Sequence, residues 1–313
     1  MARAALALTL LLAALSLAGC DLVAARAPNA VAPVPVQPPA PPPQRSAESL
    51  ALETYYTRIQ SSLLTQGLLR VDGGGIDTPY TADMLAENFI RIALFEEYTE
   101  AGGRLISRQS ASSLRRWETP VRIGVIYGET VSREIRQRDT MEIERYAARL
   151  ARVSGHPVRR VTSGANYHVF IVNENELRSL GPRIRAIIPS ISDAAIRTVE
   201  TLPRTSYCLV FASNPTSTGA YDTAVAVIRA EHPDLLRRSC IHEELAQGLG
   251  LANDSPLVRP SIFNDDEEFG LLTRHDEQLL RILYDPRLRT GMRASQARPI
   301  ARRIAEELVA GPS

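Results

Sequence analysis

The chain has 313 residues, with 36 cationic side chains, all of them Arg, against 35 acidic ones, a formal net charge of +1. So even a balance gives no electrostatic footprint for nucleic acid or a strongly anionic partner, and no nucleic-acid role is expected. With 44% hydrophobic residues there is material for one sizeable core and an added lobe.

The N-terminus reads as a secretory signal. Arg3 supplies a positive start, and the apolar run ALALTLLLAALSLAGC ends at Cys20. That run is too short for a membrane span, which needs about 20 apolar residues with suitable flanks. Its ending, Leu17-Ala18-Gly19-Cys20, resembles the bacterial lipobox. The resemblance implies removal of residues 1–19 and lipidation of Cys20; an ordinary signal peptide with an incidental cysteine is the alternative. Acyl chains contribute ~0.8 kcal/mol per buried CH₂, so a multiply acylated Cys20 would anchor the chain to the membrane. In lipoproteins an acidic residue such as Asp21 implies inner-membrane retention, which places the chain on the cell membrane facing the periplasm. Eight prolines between Pro28 and Pro43 have few backbone donors and a fixed φ, so residues 20–45 form an extended tether. Cys208 and Cys240 remain as an even pair in an exported chain, which favours a disulfide over two free buried thiols.

The folded part starts near Ser46. Apolar residues recur at helical spacing to about Arg70 (Leu50, Tyr55, Ile59, Leu63, Leu64), and VDGGGIDTP breaks the helix. Thr81 is the expected N-cap of a second helix, TADMLAENFIRIALFEEY, with Met84, Phe89, Ile92 and Phe95 on one face. The two helices are read as a small helical lobe over residues 46–116. From Trp117 strands and helices alternate. TPVRIGVIYG reads as a strand, RDTMEIERYAARLARVSG as a helix, HPVRRVTS and NYHVFIVN as strands, and ELRSLGPRIRAII as helical. YCLVFAS and TAVAVIRAE are two further strands. DLLRRSCIHEELAQGLGL is a helix opened by Asp234, and Thr273 with Asp276 marks a capping box for the next. A peripheral helix follows Asp285-Pro286. The class is α/β (α+β): over residues 117–313, a mixed sheet of four or five strands, a crossing helix and two C-terminal helices.

The chemistry concentrates in HEELAQGLGLAND, His242–Asp254. Two histidines four apart on a helix offer both imidazoles to one zinc, with the adjacent Glu as general base. That register fails from His242, because position 246 is Ala. One residue later, Glu243, Glu244, Gln247, Gly250, Asn253 and Asp254 fall on the positions of HExxHxxGxxHD. PSIFND, Pro260–Asp265, resembles a Met-turn with Phe263 in the methionine's place, and LLTRHDEQLLRILYD resembles the closing helix that follows it. Trp117 to Asp285 is therefore similar to the metzincin metallopeptidases. The resemblance implies a mixed sheet with a crossing helix, an edge strand, the signature helix and a C-terminal helix. The exported chain as a whole also resembles an uncharacterised bacterial lipoprotein family, through its Glu-Glu-x-x-Gln-x-x-Gly-Leu core, SIF turn and LYDPRL-x-x-GM ending.

The departures shape the functional expectation. Glu243, Gln247 and Asn253 stand where the resemblance puts the three zinc-binding histidines; Glu244, at the general-base position, and Gly250 persist. Carboxylate and amide oxygens suit Ca²⁺, Mg²⁺ or Mn²⁺ better than zinc. Zinc is thus not expected, and Glu243, Gln247, Asn253 and Asp254 are weak ligand candidates for a harder divalent ion. His242 lies about 100° around the helix and should not join them. The expected role is a membrane-anchored envelope lipoprotein with a degenerate peptidase-like domain, binding a peptide or envelope protein without catalysis. The alternative is a hydrolase in which Glu243 and Glu244, beside Gln247, hold an atypical metal or divide acid and base roles. An unrelated envelope role is a third reading. Asp265–Glu268 is read as a solvated run rather than a Ca²⁺ loop, His275 and His232 as packing or surface residues, and Gly73–Gly75 as a turn.

Overall fold

The computed structural model describes residues 43–101, 104–213 and 218–311. The expected signal peptide, Cys20, Asp21 and the tether as far as Pro42 lie outside the described residues. Among those described, no helix is long and apolar enough to cross a membrane.

Helix α1, Ala47–Thr65, starts where the Ser46 hydroxyl accepts the Ser49 N–H, and α2, Ala82–Ala93, where Thr81 accepts the Met84 N–H. Of the expected apolar stripes, Leu50, Leu64 and Met84 are exposed and Phe89 and Ile92 are buried, while the buried aromatic of α1 is Tyr56, next to the expected Tyr55. The second helix stops short of the expected Tyr98. Strand β1, Phe95–Ala101, instead pairs antiparallel with β2, Arg104–Ala111, Ala101 facing Arg104. Gly102-Gly103 between them is the two-residue hairpin signal that the helical reading overrode.

Strand β3, Arg116–Trp117, precedes β4, Val121–Tyr127; α3, Arg133–Ser154, then leads to β5, Val158–Arg160, and β6, Tyr167–Val172. Short helices α4, Glu174–Leu177, and α5, Gly181–Ile187, replace the single expected helical run, split ahead of Pro182. An unforeseen helix, α6, Asp193–Glu200, is capped by Ser192. Then follow β7, Cys208–Ser213; β8, Ala220–Tyr221; β9, Thr223–Arg229; α7, Asp234–Gln247; α8, Arg274–Tyr284; and α9, Ala294–Ala310.

The main sheet runs β5-β4-β6-β9-β7, parallel throughout except β7, which is antiparallel to β9 at one edge. Both faces of the parallel strands are covered, which is why β6 and β9 read as near-continuous apolar runs. Side chains alternate between two cores. Val169, Ile171, Ala224, Ala226 and Ile228 join α3, α7 and α8 on one face, while Phe170, Val172, Val225 and Val227 meet α4 to α6 on the other.

The expected separate lobe over residues 46–116 is not what forms. Leu85, Phe89 and Ile92 of α2 belong to the same core as Ile143, Leu245 and Leu279. The C-terminal α9, expected to be peripheral, packs on α2 and buries Ala297, Ala301, Ile304 and Ala305. An amphipathic stripe shows that a helix has a buried face, not which element covers it.

Candidate functional site

Helix α7 and strand β7 form two walls of a cleft of about 630 Å³, and the β1–β2 hairpin contributes Glu96 and Glu97 to its lining. Cys208 through Ala212 of β7 face it, from the strand that pairs with β9 on one side only. A disulfide joins Cys208 to Cys240 and so ties that edge strand to α7.

Glu243, Glu244 and Gln247 of α7 line the cleft together with Asp254. The chain reaches Asp254 by turning at Gly250, whose φ is +125° and whose absent side chain leaves room for the Arg115 carbonyl, 2.2 Å from where a Cβ would stand. The Gln247 amide donates to both Asp254 carboxylate oxygens, at 2.9 and 3.0 Å. Asn253 goes elsewhere: its Nδ2 donates to the Arg91 carbonyl at 2.8 Å, and its backbone N–H to the Ile92 carbonyl at 3.1 Å. Three of the four weak ligand candidates therefore meet at the cleft, and Asn253 anchors the loop to α2.

The zinc that the metzincin resemblance implies does not fit these residues. The second ligand position presents an amide N–H₂ already engaged by Asp254, and the third turns away. Among the described residues, no group of three His, Cys, Asp or Glu side chains could hold a metal ion.

His242 lies across the helix from the cleft. Its Nδ1 accepts the Leu272 backbone N–H at 3.2 Å, so in the neutral ring Nε2 carries the proton and donates to Glu142 at 3.1 Å. The ring stacks on Tyr146, with centroids 3.9 Å apart. Burial pushes the imidazole below its ordinary range, and its hydrogen bond holds the Glu142 carboxyl down at about 2. This is a packing and hydrogen-bonding role.

Electrostatically the cleft is one-sided. Burial, then the Asp254 charge, pushes the carboxyls of Glu243 and Glu244 well above the ordinary range. Asp254 is raised by burial and by Glu97. Burial and then Asp265 and Asp266 bring Glu267 up to about 7. Glu244 is only 3% exposed, and its Oε2 has no hydrogen-bond partner. Such a group can donate a proton, accept one, or wait for a donor from a ligand.

The SIF turn is held from α8. Asp276 accepts from the Ser261 hydroxyl at 2.6 Å, from the Ile262 N–H at 3.1 Å, and from Thr273 as the expected capping box. Phe263 is fully buried in the main core. In the acidic run, Asp265 and Glu267 line the cleft, and Glu268 pairs with Arg70 and Arg259. His275 is buried against Asn88 and Tyr80, and His232 lies between Tyr56 and Tyr207. Sequence reasoning missed Glu96, Glu97, Arg115 and Tyr207 of the cleft lining. The first two needed the hairpin, whose signal was Gly102-Gly103.

A family model described as a protein of unknown function (DUF2927) matches residues 82–303. The chain belongs to that family. The matched DUF2927 segment runs from α2 into α9, so it takes in the sheet, the cleft and the SIF turn. No curated protein matches the chain, and no solved structure does.

Proposed function

We propose that this DUF2927 chain is an exported, lipid-anchored envelope protein whose metzincin-like frame binds an extended peptide in its cleft without cleaving it. The order of elements supports the frame: crossing helix α3, antiparallel edge strand β7, signature helix α7, SIF turn and closing helix α8 follow one another as the resemblance implies. The observation that carries the non-catalytic reading is the Gln247 amide bonded to both oxygens of Asp254, with Asn253 turned to Arg91. Those contacts hold the side chains at the second and third ligand positions against partners inside the protein. For the binding mode, β7 lies along the cleft as an edge strand that, among the described residues, pairs on one side only, the requirement for strand addition by a peptide. Anchoring rests on the lipobox and Asp21, and puts the cleft in the periplasm at the inner membrane.

The test is metal analysis and peptidase assay of residues 46–313, alongside titration with blocked peptides. Peptide binding with neither stoichiometric metal nor turnover is expected. Metal lost on Glu243→Ala, or turnover lost on Glu244→Gln, would overturn the non-catalytic reading.

One observation favours a second reading, a hydrolase with an acid–base centre. Glu244 keeps a buried, unpartnered carboxylate oxygen at the general-base position, beside Glu243 and Asp254. This reading predicts slow, metal-independent turnover that Glu244→Gln abolishes.

A further inference from the structure

Among the described residues, the cleft is lined by seven carboxyl groups and one guanidinium, that of Arg115. Arg115 pairs with Glu96 at the base of the hairpin, while its buried Nε has no partner. Among the described residues, no cationic side chain pairs with Glu243, Glu244 or Asp254. The Gln247 amide, a neutral donor beside them, is spent on Asp254. Glu244 shows what is missing: it lines the cleft, is almost wholly buried, and has a carboxylate oxygen with no donor. Buried polar atoms are nearly always satisfied, so an orphan acceptor in a cleft calls for a donor from outside.

We propose that the cleft selects a cationic side chain, a guanidinium or an ammonium, seated against Glu244, Glu243 and Asp254. The inference rests on the peptide-binding reading above and names the chemistry of the residue bound. Arg and Lys supply only donors, five and three N–H groups respectively, and the lining around Glu244 supplies acceptors. Their aliphatic stems also suit the remaining wall, where Tyr207, Val210 and Ala212 give apolar surface beside the carboxyls. A peptide added along β7 would alternate its side chains, so one residue in two points toward α7. A bare divalent cation is the poorer match, since no three of the acidic groups converge as ligands. An anionic residue at the same place would add one more carboxyl to a cleft where burial already disfavours the charged form.

The experiment uses the full chain purified in detergent and titrated calorimetrically with three blocked heptapeptides, alanine except at the central position. That position is arginine, its neutral isostere citrulline, or glutamate; agmatine serves as a free guanidinium probe. The arginine peptide is expected to bind at least tenfold tighter than the citrulline one, and the glutamate peptide weakest. The preference should weaken with salt and fall below threefold in Glu244→Gln and in Asp254→Asn. The wild-type comparison needs no variant to fold. Equal binding of the arginine and citrulline peptides overturns the cation seat and leaves the peptide-binding reading standing. Agmatine bound in a Glu244-dependent way, with no peptide bound, supports the cation seat and overturns that reading. No binding of any probe overturns both.

Discussion

Glu267→Gln tests the electrostatic account of the cleft without touching its floor. The Glu267 carboxyl lines the cleft and is pushed from 4.5 up to about 7, first by burial and then by Asp265 and Asp266. The folded chain thus holds the Glu267 proton more tightly than the unfolded chain does. The associated stability is fully present below pH 4.5 and is lost as pH rises to about 7. At ~1.4 kcal/mol per pH unit, the whole shift corresponds to about 3 kcal/mol. Glu267 is not fully buried, and solvent relaxation should leave about 1–2 kcal/mol of this. Glutamine keeps the size and the backbone of the residue, including its left-handed φ of 57°, but cannot ionise. Urea denaturation of residues 46–313 at pH 4.5 and pH 8.5 reads the difference. The variant should match wild type at pH 4.5 and exceed it by about 1–2 kcal/mol at pH 8.5. A gain of equal size at both pH values, or none at pH 8.5, would refute the reasoning.

Three further predictions concern the frame. Asp276→Ala leaves the Ser261 hydroxyl, the Ile262 N–H and the Thr273 N–H without their buried acceptor and should cost about 3–5 kcal/mol, measured by chemical denaturation. Cys208→Ser with Cys240→Ser opens a loop closed across 32 residues and should cost about 3–4 kcal/mol in the chain-entropy description, seen as a lower Tm under non-reducing conditions. Gly250→Ala puts a Cβ 2.2 Å from the Arg115 carbonyl at a φ of +125°; a marked loss of soluble, folded protein is expected in expression and circular dichroism, and near wild-type behaviour would refute the packing argument.

Local chemistry was legible where the signal was local. Thr81 caps its helix as a hydroxyl N-cap does, Thr273 and Asp276 form the capping box, and the apolar runs of β6 and β9 are the buried parallel strands. The exclusion of His242 from the cleft also followed from helix geometry alone, being about 100° around from Glu243. Reading failed where two local signals competed. Helical periodicity carried α2 past Ala93 to Tyr98, although the Gly-Gly pair just beyond called for a hairpin.

The sequence by itself determined the residue types at the cleft: two adjacent glutamates, a glutamine four residues after the first, and a glycine at the turn, with no histidine at any ligand position. The tertiary structure decided which of them meet. Asn253 and Asp254 are neighbours in the chain, yet one bonds to α2 and the other to Gln247. The hairpin's Glu96 and Glu97 arrive from some 150 residues away in sequence to complete an acidic lining. The reason is physical: periodicity and capping are set within one turn of helix or one strand. Which carboxyls share a cleft, and what charge that cleft carries, depends on how the elements pack.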